Sequence, residues 1–251
     1  GLVLECCLKY GALNEVHISN MEEQNQEKRR LTEKPLGVVS VGLGEGIKAV
    51  LESMGVDVVV SGGQTMNPST QELLDAIKQV NASQVLLLPN NKNILLAAKQ
   101  AVEMSEKKVY LVPTVNVAQG MAAMLMFNPY EEAEHLAEDM AESASQVRYG
   151  EITKAARNTK FKGQEVSIGN YIGLADDELC CGGTDLEPVL AELLAELLDE
   201  DKSIVTLYYG AELKENEAQK LVENLAEKFA EVEFEVHYGG QPHYQCLLSV
   251  E

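Results

Sequence analysis

Four short polar stretches carry most of the groups in this chain suited to touching a ligand. They are "GLGEG" (42–46), "SGGQTMNPS" (61–69), "PNNKN" (89–93) and "PTVNVAQG" (113–120). They supply amides, hydroxyls, a lysine, and glycines that let backbone approach another group closely. The candidate ligand- or partner-binding residues here are Gly62, Gly63, Gln64, Thr65, Asn67, Asn90, Asn91, Lys92, Thr114 and Gln119. A fifth stretch, "HYGGQPH" (237–243), adds His237, Gly239, Gly240 and Gln241. These groups suit hydrogen bonding to an anion or a carbonyl. None is an activated nucleophile, and no catalytic residue is assigned.

Each stretch also has a structural reading. Asn67 before Pro68 starts a helix well, and Ser69 with Glu72 spells a capping box. Gly62 and Gly63 serve a turn with positive φ. Asn90 and Asn91 serve as turn and cap residues. His237 and His243 could meet the other loops across a cleft, or simply end a strand before a tight turn.

Several chemistries lack their motif. In "GLGEG" Ile47 stands where a dinucleotide loop needs its third glycine, and no GxxxxGK[ST] or GxSxG occurs. The histidines are His17, His135, His237 and His243, too few and too scattered for a metal cage or a triad. The five cysteines fall as two adjacent pairs and a single, with neither CxxC nor a zinc spacing. No metal ligand is assigned. The thiols read as reduced and structural, which implies a cytoplasmic protein.

The elements that must position these loops follow from periodicity. From Leu36 to Pro113, β-branched or leucine-rich runs ("LGVVSV", "VDVVV", "QVLLLP", "KVYLVP") alternate with amphipathic helices. Ile47, Val50, Leu51 and Met54 mark the first of these helices, at i, i+3, i+4 and i+7. Strand followed by helix, repeated, predicts parallel βαβ units. Every strand-to-helix loop then lies at one sheet edge, where open α/β folds bind ligands. The unpartnered N–H groups of each helix start make that edge friendly to anions. A long acidic helix follows, through Ala133, Leu136, Met140 and Val147. Beyond it, alternating stretches broken at Gly163, Gly169 and Asp176-Asp177 predict antiparallel hairpins. The expected architecture is therefore α/β and two-lobed, with a parallel βαβ lobe at 36–147 and a mixed or antiparallel α+β lobe at 148–251. Residues 1–20 read as the tail of a preceding domain, and 21–35 as a linker.

A net charge of −20 sets the sequence against nucleic acid and anionic membrane surfaces. No apolar run approaches the ~18 residues of a membrane span, and no signal-peptide pattern is present.

At "GVDVVVSGGQTMNPSTQELLDAI", with "LLPNNKNILLAAKQA", "VPTVNVAQGMAAMLMFNP", "VRYGEITKAARNT" and "HYGGQPHYQCLLSVE", the chain resembles the C-terminal region of the DAK-type kinase family. More narrowly, it is similar to the ATP-binding large subunit of bacterial fatty acid kinase. The resemblance implies a parent with an N-terminal kinase domain that binds ATP and magnesium, a middle domain, and a C-terminal DegV-like domain. Only the tail of the middle domain and the C-terminal domain are matched, so ATP and magnesium belong to a part not matched here. The implied role is non-catalytic. The domain would dock an acyl-loaded DegV-type subunit so that the fatty acid carboxylate can be phosphorylated elsewhere. DegV carriers hold that carboxylate on a Thr-Ser loop, where this sequence has Gly62, Gly63, Gln64 and Thr65. A fatty acid or small anion bound between the lobes is the alternative, and the parent family also implies a homodimer.

Overall fold

The computed structural model describes residues 33–62, 67–161, 164–199 and 204–251. The expected tail at 1–20, nearly all of the linker, and three site candidates (Gly63, Gln64 and Thr65) lie outside the described residues.

Four strands form the first sheet: β1 (Lys34–Gly42), β2 (Val58–Ser61), β3 (Ala82–Leu88) and β4 (Lys108–Leu111). All pair in parallel, in the order β2-β1-β3-β4. Helices α1 (Glu45–Ser53), α2 (Thr70–Gln79), α3 (Leu95–Met104), α4 (Val117–Leu125) and α5 (Ala133–Ser145) complete this lobe. Its strands are apolar at successive positions because both faces are covered. Val39, Val41, Val85 and Leu87 pack under α2 and α3 through Leu73, Ile77 and Ala98. Leu36, Val38, Leu86 and Leu88 pack against α1, α4 and α5 through Leu51, Met121 and Met140. The Ser69–Glu72 capping box starts α2 as its residues predict. In contrast, α4 begins inside the stretch read as a loop, where Asn116 caps it through Oδ1 and the Gln119 N–H at 2.8 Å.

The second lobe holds β5 (Arg148–Lys154), β8 (Tyr171–Ala175), β9 (Glu178–Gly183), β10 (Ile204–Tyr209), β11 (Glu233–Tyr238) and β12 (Tyr244–Val250). They run in the order β11-β10-β12-β5-β8-β9. Only β10 and β11 are parallel, joined through α7 (Glu215–Lys228). The other neighbours are antiparallel, and β8 and β9 form the hairpin that the Asp176-Asp177 turn predicts. A small hairpin, β6 (Thr159–Phe161) and β7 (Gln164–Val166), stands apart from this sheet. Asp176 and Asp177 take φ of 47° and 72°, the left-handed pair that a two-residue hairpin turn requires.

One face of this second sheet is covered by α7 and α6 (Leu186–Leu197), which bury Leu190, Leu193, Leu194 and Leu225 against Ile152, Leu207 and Leu248. The other face turns to the first lobe. Tyr208 and Leu247 join the first lobe's core, and Tyr149 packs with Ala118 and Ala122 of α4. The lobes therefore meet through side chains, and the loops after β1 and β3 are held against the second sheet.

Leu193 is completely buried. Leu193→Ala is expected to cost about 2–5 kcal/mol of unfolding free energy. Urea denaturation should report it as a lower midpoint with an unchanged slope.

Candidate functional site

In a sheet of this order, the β1/β3 boundary is the switch point where the strand order reverses and ligands of open α/β folds sit. Here a side chain fills it. Asn90, at the end of β3, has φ of 52°, a left-handed conformation that asparagine tolerates better than most residues. Its Nδ2 donates to Ser40 Oγ and to the Val41 carbonyl, both at 2.8 Å. Its Oδ1 accepts from Thr114 Oγ1 at 2.7 Å, and its own N–H donates to that hydroxyl at 3.1 Å. Three strand ends are thereby joined by one buried amide. Gly120 of α4 makes this possible, because a Cβ there would lie 2.2 Å from Asn90 Oδ1. Asn90 and Thr114 thus serve the architecture.

The helix starts around this point find protein partners. The Ile47 N–H of α1 donates to the Gly239 carbonyl of the second lobe at 3.0 Å. A Cβ on Gly46 would lie 1.8 Å from the Tyr238 carbonyl oxygen, and one on Gly44 2.3 Å from that of Gly239. Two of the three glycines of "GLGEG", Gly44 and Gly46, therefore serve backbone contact between the lobes. At the start of α3, Asn91 accepts from the Asn93 N–H through Oδ1 at 2.8 Å and from the Ile94 N–H through its carbonyl at 3.0 Å. Gln119 turns back to accept from the Val115 N–H at 3.0 Å.

A cavity of about 220 Å3 lies between the lobes. Of the candidates, Gly62, Asn90, Asn91, Lys92 and Gln241 line it. Thr114 lies behind Asn90, and Gln119 points back along its own loop. Asn67 is exposed. His237 is not brought to the cavity. It sits on β11, at the sheet edge, with its ring stacked on Tyr208 at 5.8 Å. Gly239 meets α1, and Gly240 supplies a turn at φ of 67°. Gln241 donates from Nε2 to the Tyr208 carbonyl at 2.9 Å.

Six polar lining residues lie outside the candidates that the sequence patterns single out: Asn93, Asn116, Tyr149, Glu151, Asp177 and Tyr244. The alternation of "YGE" along β5 is the available signal, since it places Tyr149 and Glu151 on the face opposite Gly150. Asp177 is legible only as a turn. Lys92 Nζ bridges to Asp177 Oδ2 at 2.6 Å, tying the β3 loop to the β8–β9 turn. Burial, then the hydrogen bond to Asp177 and its charge, push the Tyr149 phenol far above its usual range. Burial, then the charges of Glu151 and Asp177, do the same to Tyr244. Both phenols stay neutral donors. The lining carries two carboxylates against one lysine, and that lysine is bound to one of them. Asn116 Nδ2 and Gln241 Oε1 are buried without a partner among the described residues.

Comparison with known proteins identifies the lineage. Residues 37–251 match the FakA-like C-terminal family of fatty acid kinase, and the chain belongs to that family. It is 38% identical over 262 residues to protein YloV of Bacillus subtilis (strain 168), aligning all of this chain to 47% of that protein. The chain thus spans about half the length of the curated relatives it matches.

Among solved structures, the fold is similar to a Thermotoga maritima protein described as revealing a fatty acid binding function. That match has a TM-score of 0.61 at 13% identity, covering 87% of this chain and 99% of the other. It is also similar to the Streptococcus pneumoniae fatty acid kinase B3 protein loaded with linoleic acid, with a TM-score of 0.57 at 10% identity over 86% and 98% of the two chains. Dihydroxyacetone kinase from C. freundii aligns with a TM-score of 0.54 at 11% identity, over 95% of this chain and 57% of the kinase. The expected two-lobed DegV-like architecture is the one observed.

Asn90→Ala should remove the side-chain partner of three buried groups at two neighbouring strand ends, Ser40 Oγ, the Val41 carbonyl and Thr114 Oγ1, each group left unpaired costing about 1–3 kcal/mol. A clear drop in the urea midpoint is the expected outcome. Gly46→Ala should push the lobes apart at Tyr238. The result should be faster hydrogen exchange at the Ile47 amide together with lower stability.

Proposed function

We propose that this domain is a non-catalytic docking module of a fatty acid kinase. It would seat an acyl-loaded DegV-type partner so that a kinase domain elsewhere in the parent protein can phosphorylate the fatty acid carboxylate. The observation that carries the reading is the cavity between the lobes. At about 220 Å3 it is smaller than the ~300–1,000 Å3 usual for pockets that enclose a drug-sized molecule. Its lining, with Glu151 and Asp177 against Lys92 alone, is a poor host for a second carboxylate. The domain keeps the shape of a carrier while its cleft is stapled by Asn90 and bridged by Lys92.

ATP and magnesium are assigned to the parent's kinase domain. The α1 start follows the glycine-rich turn nearest to a phosphate loop, and the Gly239 carbonyl already occupies one of its amides. No helix among the described residues is long and apolar enough to cross a membrane.

The test uses the full-length kinase protein with and without residues 34–251. Removal should abolish capture of the acyl-loaded partner and lower acyl phosphate formation, while nucleotide binding by the kinase domain persists. Undiminished partner binding and phosphorylation would overturn the proposal.

A small ligand between the lobes is the second reading. It is favoured by the unpaired Asn116 Nδ2 at the cavity wall. Native mass spectrometry of the purified protein separates the two, because a co-purifying fatty acid would establish a carrier.

A further inference from the structure

Two adjacent cysteines on β9 face the same way. Consecutive strand residues normally point to opposite faces of a sheet. Here the register passes from Gly173↔Cys181 to Leu174↔Leu179, which leaves Cys180 as an extra residue on its strand. Such a bulge rotates the strand locally and breaks the alternation. Cys180 and Cys181 consequently both pack into the core that α6 covers, with their sulfurs 3.5 Å apart. Gly173, on the neighbouring strand, provides the space, since a Cβ there would sit 2.5 Å from Cys181 Sγ. Cys181 is buried and Cys180 half-buried, on the edge strand of the sheet.

We propose that Cys180 and Cys181 form a convergent dithiol site for a soft, thiophilic metalloid of the trivalent arsenic class, held by two sulfur bonds. Two bonds of about 2.3 Å, the length of a zinc–thiolate bond, span the observed 3.5 Å at an angle of roughly 100°. A disulfide fits less well. Neighbouring Cα atoms are about 3.8 Å apart, short of the usual ~4.4–6.8 Å span of a bridge. Condensation with an organoarsenic oxide does not require an oxidant. Two S–H bonds and the As=O bond break, two As–S bonds form, and the oxygen leaves as water with no change of oxidation state.

The probe is phenylarsine oxide, added to the folded chain in a Cys6→Ser, Cys7→Ser background so that the other adjacent pair is silent. Intact-mass spectrometry should show one adduct per chain, of the reagent's mass less one water. 2,3-Dimercaptopropanol should remove it and a monothiol should not. Cys180→Ser and Cys181→Ser should each lose the adduct, whereas Cys246→Ser, which alters a thiol buried at the sheet centre, should keep it. Thermal unfolding of the Cys6→Ser, Cys7→Ser chain gives a measure independent of the serine variants at 180 and 181. Binding to the folded state should raise the midpoint. A lowered midpoint, an adduct formed only after unfolding in urea, or an adduct surviving in Cys180→Ser would overturn the proposal.

Discussion

The hydrogen bonds of Asn90 are the constraint on which the rest of this architecture hangs. A parallel sheet of order β2-β1-β3-β4 diverges at the β1/β3 boundary, and the polar ends of those strands must be satisfied there. Many α/β proteins let a ligand do this. Here one amide does it from within the chain, reaching Ser40, Val41 and Thr114 at once. The choice propagates outward. Asn90 must adopt positive φ to reach, α4 must carry glycine at 120 to clear its oxygen, and α4 is then pressed close enough to the second sheet for Tyr149 to pack on Ala118 and Ala122.

The second joint is backbone against backbone. The start of α1 donates to the Gly239 carbonyl, and Gly44 and Gly46 bring the chains within a distance that no side chain could share. Two-lobed folds that open and close around ligands keep such contacts few. Here Tyr208, buried in the first lobe's core from a strand of the second, adds a third joint, and that burial, followed by the charges of Glu251 and Glu235, pushes its phenol up to about 12. Three joints of different kinds thus hold the lobes against each other.

The fold is legible in the sequence because periodicity is local. Val38 and Val39 face opposite helical layers yet both read as strand, and the Asp176-Asp177 turn announces its hairpin by composition alone. The site is legible only in outline. "PNNKN" and "PTVNVAQG" do lie near one edge, but the amides that cap a helix and those that hold a ligand are the same residue types. Nothing local reveals that the oxygen of Asn90 is used by Thr114 or that Lys92 finds Asp177, 85 residues away. His237 falls away from the cavity for the same reason. Its strand is the sheet's edge, and edge position is a property of strand order, which the sequence does not display.

Fold kinship alone does not carry a site. Proteins sharing its fold at 10–13% identity include ones described as binding or loaded with fatty acids. At that distance only the backbone plan is shared. In this chain the switch point and the cleft are crossed by an amide staple, a lysine–aspartate bridge, and two tyrosines kept neutral by burial and nearby carboxylates. Together they fill space and leave two carboxylates and one lysine along the cavity wall. The switch point is thus occupied by the protein's own polar groups, while the cleft beside it keeps a cavity of about 220 Å3 whose lining sets two carboxylates against one lysine.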